Sequence, residues 1–119
     1  MNIEELRAYC LSKKGVTEEF PFDETTLVFK VMGKMFALTG LESEETTVNL
    51  KCKPDYAVEL REEFSEDILP GYHMNKQHWN TVNYAGGLKD KFVKELVDHS
   101  YELVVSGLTK KQKEELQKK

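Results

Sequence analysis

The sequence lacks the features that mark membrane-spanning and exported proteins. No apolar run in its 119 residues approaches the roughly 20 residues that a transmembrane helix needs. The N-terminal stretch MNIEELRAYC is acidic and amphipathic, and it has neither the basic start nor the apolar stretch of a signal peptide. We therefore expect a cytoplasmic protein that does not associate with membranes.

Cysteine is scarce as well, and its placement excludes the common cysteine-based sites. Cys10 and Cys52 form no CxxC pair and show no metal-ligand spacing. Isolated cysteines of this kind are typical of buried thiols in a reducing compartment. We therefore expect no disulfide framework and no cofactor.

The signatures of common catalytic and metal sites are also missing. The sequence has no glycine-rich phosphate loop, no nucleophile elbow and no catalytic pair of carboxylates. His73 and His78 are five residues apart, which does not place them on one helical face, and no carboxylate lies between residues 68 and 89. These absences favour a non-catalytic protein without a metal, with an enzyme or a metal binder as the alternative. Three side chains are conceivable nucleophiles, although their spacing favours none of them: Thr81, Ser100 and Cys52.

Positive charge is too sparse to predict a protein that attracts nucleic acid over its whole surface. The formal net charge is −4. Acidic residues concentrate in segments with a helical pattern, such as residues 54–70 with a net charge of −5, whereas residues 27–53 and 71–87 each carry +1. A locally basic face is therefore compatible with the sequence, but steering of the whole molecule toward phosphate is not expected.

Three amphipathic segments predict the main helices. They are residues 2–14, where Asn2 serves as the cap, a segment that begins at Pro54, and residues 88–105. The pattern Thr-Lys-Lys-Gln is a capping box and predicts a short lysine-rich helix within residues 107–119. We treat residues 1–119 as one domain and place its core in residues 1–106.

Between the helices, the sequence predicts an antiparallel β-sheet meander. The run TLVFKVMGKMFALTG indicates a hairpin with the two-residue loop Gly33-Lys34, in which Phe29 faces Leu38. That register places Leu38 on the core face and both Ala37 and Thr39 on the opposite face. The segments TTVNLKC and WNTVNY supply a third and a fourth strand. The predicted fold class is α+β, with helices packed on one face of the sheet and the other face open to water.

Several stretches of the sequence together resemble the MmcQ/YjbR family. They are FPFDETTLVFKVMGKMFAL, VNLKCKPD, LRE, PGYHMNKQHWNTV and DHSYELVVSGL, and the resemblance covers residues 3–111. It implies a frataxin-like (CyaY-like) two-layer fold and a double wing-like arrangement that binds DNA. The hairpin tip at Gly33-Lys34 and the loop at residues 40–45 would be the two wings. The tip is basic, whereas the loop GLESEE carries three acidic residues, which suits one wing near phosphate and one near a partner protein.

The segment PGYHMNKQHWNTV is the strongest candidate for a functional site. Within thirteen residues it contains two histidines, a lysine, two asparagines and the only tryptophan of the chain. Such side chains donate hydrogen bonds to phosphates and base edges, and the indole offers a stacking surface. With the outward side chains of the predicted strands, the expected nucleic-acid- or ligand-binding set is Lys30, Lys34, Asn49, Lys51, His73, Asn75, Lys76, His78 and Trp79.

Two other interpretations of these residues stay open. Asparagine and histidine side chains often bond the backbone of their own turn, so the segment is equally typical of a self-bonded structural corner with Trp79 in the core. In addition, an open sheet face suits a partner protein or a small ligand as well as DNA. No surplus apolar stripe demands a dimer, so we expect a monomer.

Overall fold

The computed structural model describes residues 1–71 and 74–119 and contains a six-stranded antiparallel sheet with four helices. The strand order across the sheet is β1-β2-β3-β4-β6-β5. The elements follow along the chain as α1 (Ile3–Leu11), β1 (Val16–Glu19), β2 (Thr26–Val31), β3 (Lys34–Gly40), β4 (Thr47–Lys51), α2 (Pro54–Glu63), β5 (Ile68–Pro70), β6 (Trp79–Asn83), α3 (Asp90–Ser106) and α4 (Lys110–Gln117).

The main core lies between one face of the sheet and the helices, which confirms the predicted α+β class. The buried side chains of this core come from both layers, with Leu6 from α1, Leu60 from α2 and Val97 from α3 among them. A second, smaller apolar cluster lies on the other face and contains no helical residue. Among the described residues, no helix is long and apolar enough to cross a bilayer.

Two of the six strands were not predicted, and both are short edge strands. β1 has four residues, VTEE, and β5 has three, ILP. Each is too short for an alternating pattern to stand out from a loop, and the proline in β5 argues against a strand in the sequence. Pairing with the long strands β2 and β6 supplies the ladder hydrogen bonds that hold them.

The predicted register of the β2–β3 hairpin was wrong. Val31 pairs with Lys34, so the loop is Met32-Gly33, and the partner then shifts from Met35 opposite Lys30 to Ala37 opposite Phe29. Beyond this β-bulge, the positions of β3 that face the core are shifted by one residue from those predicted. As a result, Ala37 and Thr39 lie on the core side, whereas Leu38 belongs to the apolar cluster of the open face.

The hairpin loop gives a first testable prediction. Met32 and Gly33 have φ angles of 51° and 80°, as a tight two-residue hairpin loop of the I′ type requires, and a positive φ is unfavourable for methionine. Met32 is also partly buried against the main core. Replacing it by asparagine, which tolerates this region, relieves the strain but loses that packing, so the free energy of unfolding should rise by only about 0.5 kcal/mol. Urea denaturation measures the change, and Met35→Asn, in the adjacent strand, is the control that should not stabilise.

The short terminal helix is part of the packed structure. Its capping box is formed as predicted, since Thr109 accepts a hydrogen bond from the Gln112 amide at 3.1 Å. Leu108 and Leu116 are buried in the main core, which therefore extends past residue 106. A Cβ atom at Gly15, where φ is 73°, would lie 2.4 Å from Cδ1 of Leu116, so α4 packs directly on the turn after α1.

Candidate functional site

The open face of the sheet carries four of the nine candidate binding residues, Lys30, Asn49, Lys51 and Trp79. Strand register places Lys30, Leu38, Asn49, Lys51, Trp79 and Thr81 on this face. The loops that connect the strands lie at the two ends of this face, and each end carries different loops. We call the end that carries the Met32-Gly33 loop the tip end, and the end that carries residues 41–46 the loop end.

The centre of the open face is apolar. Val28, Leu38 and Trp79 form a buried cluster, and Met35 and Met74 pack against it. Trp79 is only 9% exposed, so its ring cannot serve as the stacking surface that the sequence suggested. The interpretation of Trp79 as a packed residue is confirmed, although it packs on the open face instead of in the main core.

Lysines from four separate segments gather at the tip end. Lys30 and Lys34 flank the hairpin loop, Lys51 pairs with Trp79 at the end of β4, and Lys53 directly precedes α2. Lys76, on the 74–78 corner, is exposed, as are Lys34 and Lys53. Of these five lysines, only Lys30 has an ion pair with another described residue, at 3.6 Å from Glu19. The tip end is therefore a positively charged rim on an acidic protein.

The corner before β6 is a self-bonded turn. The Asn75 side chain accepts a hydrogen bond from the Gln77 amide at 2.9 Å, and the backbone carbonyl of Asn75 accepts one from the Trp79 amide at 2.9 Å. The His78 carbonyl accepts from the Cys52 amide at 2.8 Å, which ties the corner to the end of β4. The structural interpretation is thus confirmed for Asn75, while His73 lies outside the described residues.

Two residues that the sequence analysis missed fix this corner. Asn80 is 2% exposed, and its side-chain oxygen accepts a hydrogen bond from Nε of Arg61 at 2.8 Å. Arg61 also donates to the carbonyl of Lys76 at 2.6 Å. The pair lies 19 positions apart in the chain, so spacing gives no signal for it. The rim lysine is therefore positioned by a hydrogen-bonded link to α2.

The loop end of the face is acidic and concave. A pocket of about 370 Å³ lies beside the exposed Phe22, with Leu38, Asn49 and Met74 in its lining. A second concavity of about 650 Å³ is lined by four carboxylate residues together with parts of β4, β5 and β6. The two share Thr47. The carboxylate residues are Glu44, Glu45, Glu66 and Asp67.

Each of the three conceivable nucleophiles is either hydrogen-bonded within the fold or buried. Ser100 is fully buried, accepts a hydrogen bond from the Lys51 amide at 2.8 Å and donates to the Phe36 carbonyl at 2.5 Å. Thr81 donates to the Asn49 side chain at 2.6 Å. Burial raises the pKa of the Cys52 thiol to about 11, so it is protonated at neutral pH.

His99, on α3, is partly buried beside Lys53. Burial, and then the nearby Lys53 charge, hold its pKa below the ordinary value. Its Nε2 atom accepts a hydrogen bond from the Lys53 amide at 3.3 Å, which requires the neutral ring, and its ring meets Tyr56 edge to face. Within the described part of the chain, no three histidine, cysteine, aspartate or glutamate side chains converge as metal ligands would.

Comparison with known proteins gives a consistent family signal. The family model described as YjbR matches residues 11–103. The uncharacterised Escherichia coli K12 protein YjbR is 37% identical over 108 residues, which is 91% of either chain. YyaQ of Bacillus subtilis, also uncharacterised, is 34% identical over 77 residues, covering 65% of this chain and 63% of its own.

Two solved structures extend the comparison to the fold. The crystal structure of the Deinococcus radiodurans protein DR2400, described by its DUF419 domain, has a TM-score of 0.90 and 40% identity, over 98% of this chain and 88% of the other. A Pseudomonas syringae protein has a TM-score of 0.71 and 27% identity, over 87% and 98% of the two chains. Their descriptions add no activity or ligand.

Proposed function

The chain belongs to the YjbR family, and from the geometry of its open sheet face we propose that it is a non-catalytic protein that binds DNA through the tip end alone. The observation that carries this proposal is the lysine rim, in which lysines distant in sequence lie at the same end of the sheet. Its members are Lys30, Lys34, Lys51, Lys53 and Lys76.

The two predicted wings do not act together in this proposal. The Met32-Gly33 loop and residues 41–46 lie at opposite ends of β3, whose seven residues span roughly 20 Å. The loop end carries the four carboxylates, which repel phosphate. A duplex therefore approaches the hairpin tip and the 74–78 corner, and the acidic loop points away from it.

Binding of this kind has a measurable electrostatic signature. Each lysine–phosphate contact contributes roughly −0.9 to the slope of log K against log salt concentration on duplex DNA. The double variant Lys51→Glu with Lys76→Glu should lower the affinity at least about tenfold in 50 mM salt and flatten the slope by about two units. Fluorescence anisotropy with a labelled 20-base-pair duplex, titrated over a salt series, measures both quantities.

The matched control changes the same amount of charge on the helical layer. Lys91→Glu with Lys94→Glu alters two exposed lysines of α3, on the side of the sheet that the rim does not share. It should leave the slope unchanged. DNA binding would be ruled out if the wild-type protein shows no salt-sensitive interaction at low ionic strength. Equal weakening by the two double variants would rule out the lysine rim as the binding site.

A further inference from the structure

A groove made of two adjoining concavities crosses the loop end of the open face. Its two concavities share Thr47 and together run from β2, through β3, β4 and β6, to β5. At about 4.8 Å per strand spacing, this path is about 19 Å long, which matches an extended segment of about six residues. The groove thus has the length of a short peptide laid across the strands.

One half of the groove is apolar. Phe22 is 64% exposed and faces a pocket that Leu38 and Met74 also line. Polar groups of the sheet, among them Asn49 and Thr47, complete the lining. A pocket of about 370 Å³ with apolar walls and a few polar groups accepts one bulky apolar side chain.

The other half is acidic and lacks compensating charge. The carboxylates that have ion pairs in the described residues are Glu18, Glu19, Asp90 and Asp98, none of which lines the groove. No lysine or arginine of residues 1–71 and 74–119 lines either concavity. The four groove carboxylates therefore present their charge to whatever occupies the groove.

The walls of the acidic half are held in place by the fold. Thr46 donates a hydrogen bond to the Asn83 side chain at 2.7 Å, which ties the 41–46 loop to the end of β6. The Asn83 amide donates to the Asp67 carbonyl at 2.8 Å. A Cβ atom at Gly86 would lie 2.3 Å from the Asp67 carboxylate, so the glycine admits that side chain. The groove is therefore formed before any partner arrives.

From this juxtaposition we infer that the groove docks an extended polypeptide segment of a partner protein, with one bulky apolar residue beside Phe22 and two or more basic residues over the carboxylates. Charge complementarity selects the basic residues, and the separation of the two halves fixes their order along the segment. Duplex DNA is excluded from this groove by its charge. The inference does not depend on DNA binding, because none of the rim lysines lines the groove.

The test uses a terminally blocked, fluorescein-labelled hexapeptide made of one phenylalanine, two glycines and three arginines, in that order and in the reverse order. Fluorescence anisotropy should show that one order binds the wild-type protein more tightly than the other. Glu45→Lys with Glu66→Lys should weaken that binding at least about tenfold. Glu114→Lys with Glu115→Lys, on the exposed face of α4, makes the same charge change away from the groove and should have no such effect.

The apolar half is tested separately. Phe22→Ala removes an exposed side chain, so the fold is expected to persist, and it should weaken the phenylalanine peptide about fivefold without affecting a peptide with alanine in that place. The inference is overturned if neither peptide binds at millimolar concentration, if the α4 control weakens binding equally, or if replacing phenylalanine by alanine changes nothing. The last result would identify the groove as a site for small polycations only.

Discussion

Replacing Ser100 by alanine should lower the free energy of unfolding by about 3 kcal/mol, an effect out of proportion to the loss of one oxygen atom. The hydroxyl joins the Lys51 amide of β4 and the Phe36 carbonyl of β3 to α3, and it is fully buried. Without it, the buried Phe36 carbonyl at the bulge and the partly buried Lys51 amide at the strand end lose their partner. Urea denaturation followed by circular dichroism measures the change.

The control for this variant lies on the same helix. Ser106 donates a hydrogen bond to the Leu103 carbonyl at 2.7 Å but is exposed, so water can replace its hydroxyl. Ser106→Ala should change the free energy of unfolding by no more than about 0.5 kcal/mol. If Ser100→Ala is as mild as this control, Ser100 does not bridge the layers as described, and its burial would then need another explanation.

Gly71→Ala should destabilise the protein by about 2–3 kcal/mol, because the close approach at Gly71 is between backbones. A Cβ atom at this position would lie 2.8 Å from both the carbonyl oxygen and the Cβ atom of Trp79. The Gly71 amide also donates to that carbonyl at 2.8 Å, so β5 and β6 cannot separate without losing a hydrogen bond. Thermal or urea unfolding gives the size of the effect.

Tryptophan fluorescence provides a local readout of the same variant. Trp79 is the only tryptophan and is 9% exposed, so a displaced β6 should shift its emission to longer wavelength in the folded state. Gly40→Ala is the control, since the nearest atom to a Cβ there is Cβ of Ser43 at an ordinary 3.6 Å. Its stability should lie within about 0.5 kcal/mol of wild type, and an equal loss in the two variants would contradict the backbone-contact argument.

Local rules recovered the parts of the fold that depend on near neighbours in sequence. The cap at Asn2, the capping box at Thr109 and the strand in TTVNLKC were predicted correctly because each involves residues at most a few positions apart. The bulge opposite Phe29 was not predictable, since it depends on how β3 meets both β2 and β4. That single shift moved Leu38 from the expected core to the open face.

In the candidate site, too, the features that depend on near neighbours in sequence could be predicted and those that join distant residues could not. The alternation of residues within a strand allowed Lys30 and Lys51 to be placed on one face from the sequence. Both lie at one end of that face, as does Lys76 on the corner before β6. The link between Arg61 and Asn80 joins a helix to a strand and leaves no spacing signal. The groove likewise could not be predicted from the sequence, because residues from two loops and several strands line it.

The proline at the end of β5 has a consequence for solubility. The sheet ends in two edge strands, β1 and β5, and edge strands invite pairing with other chains. Pro70 has no amide hydrogen to offer at one edge, and β1 provides only four residues, two of them glutamates, at the other. Both borders are thus poor templates for aggregation, which allows an uncovered sheet face to remain available for its partners.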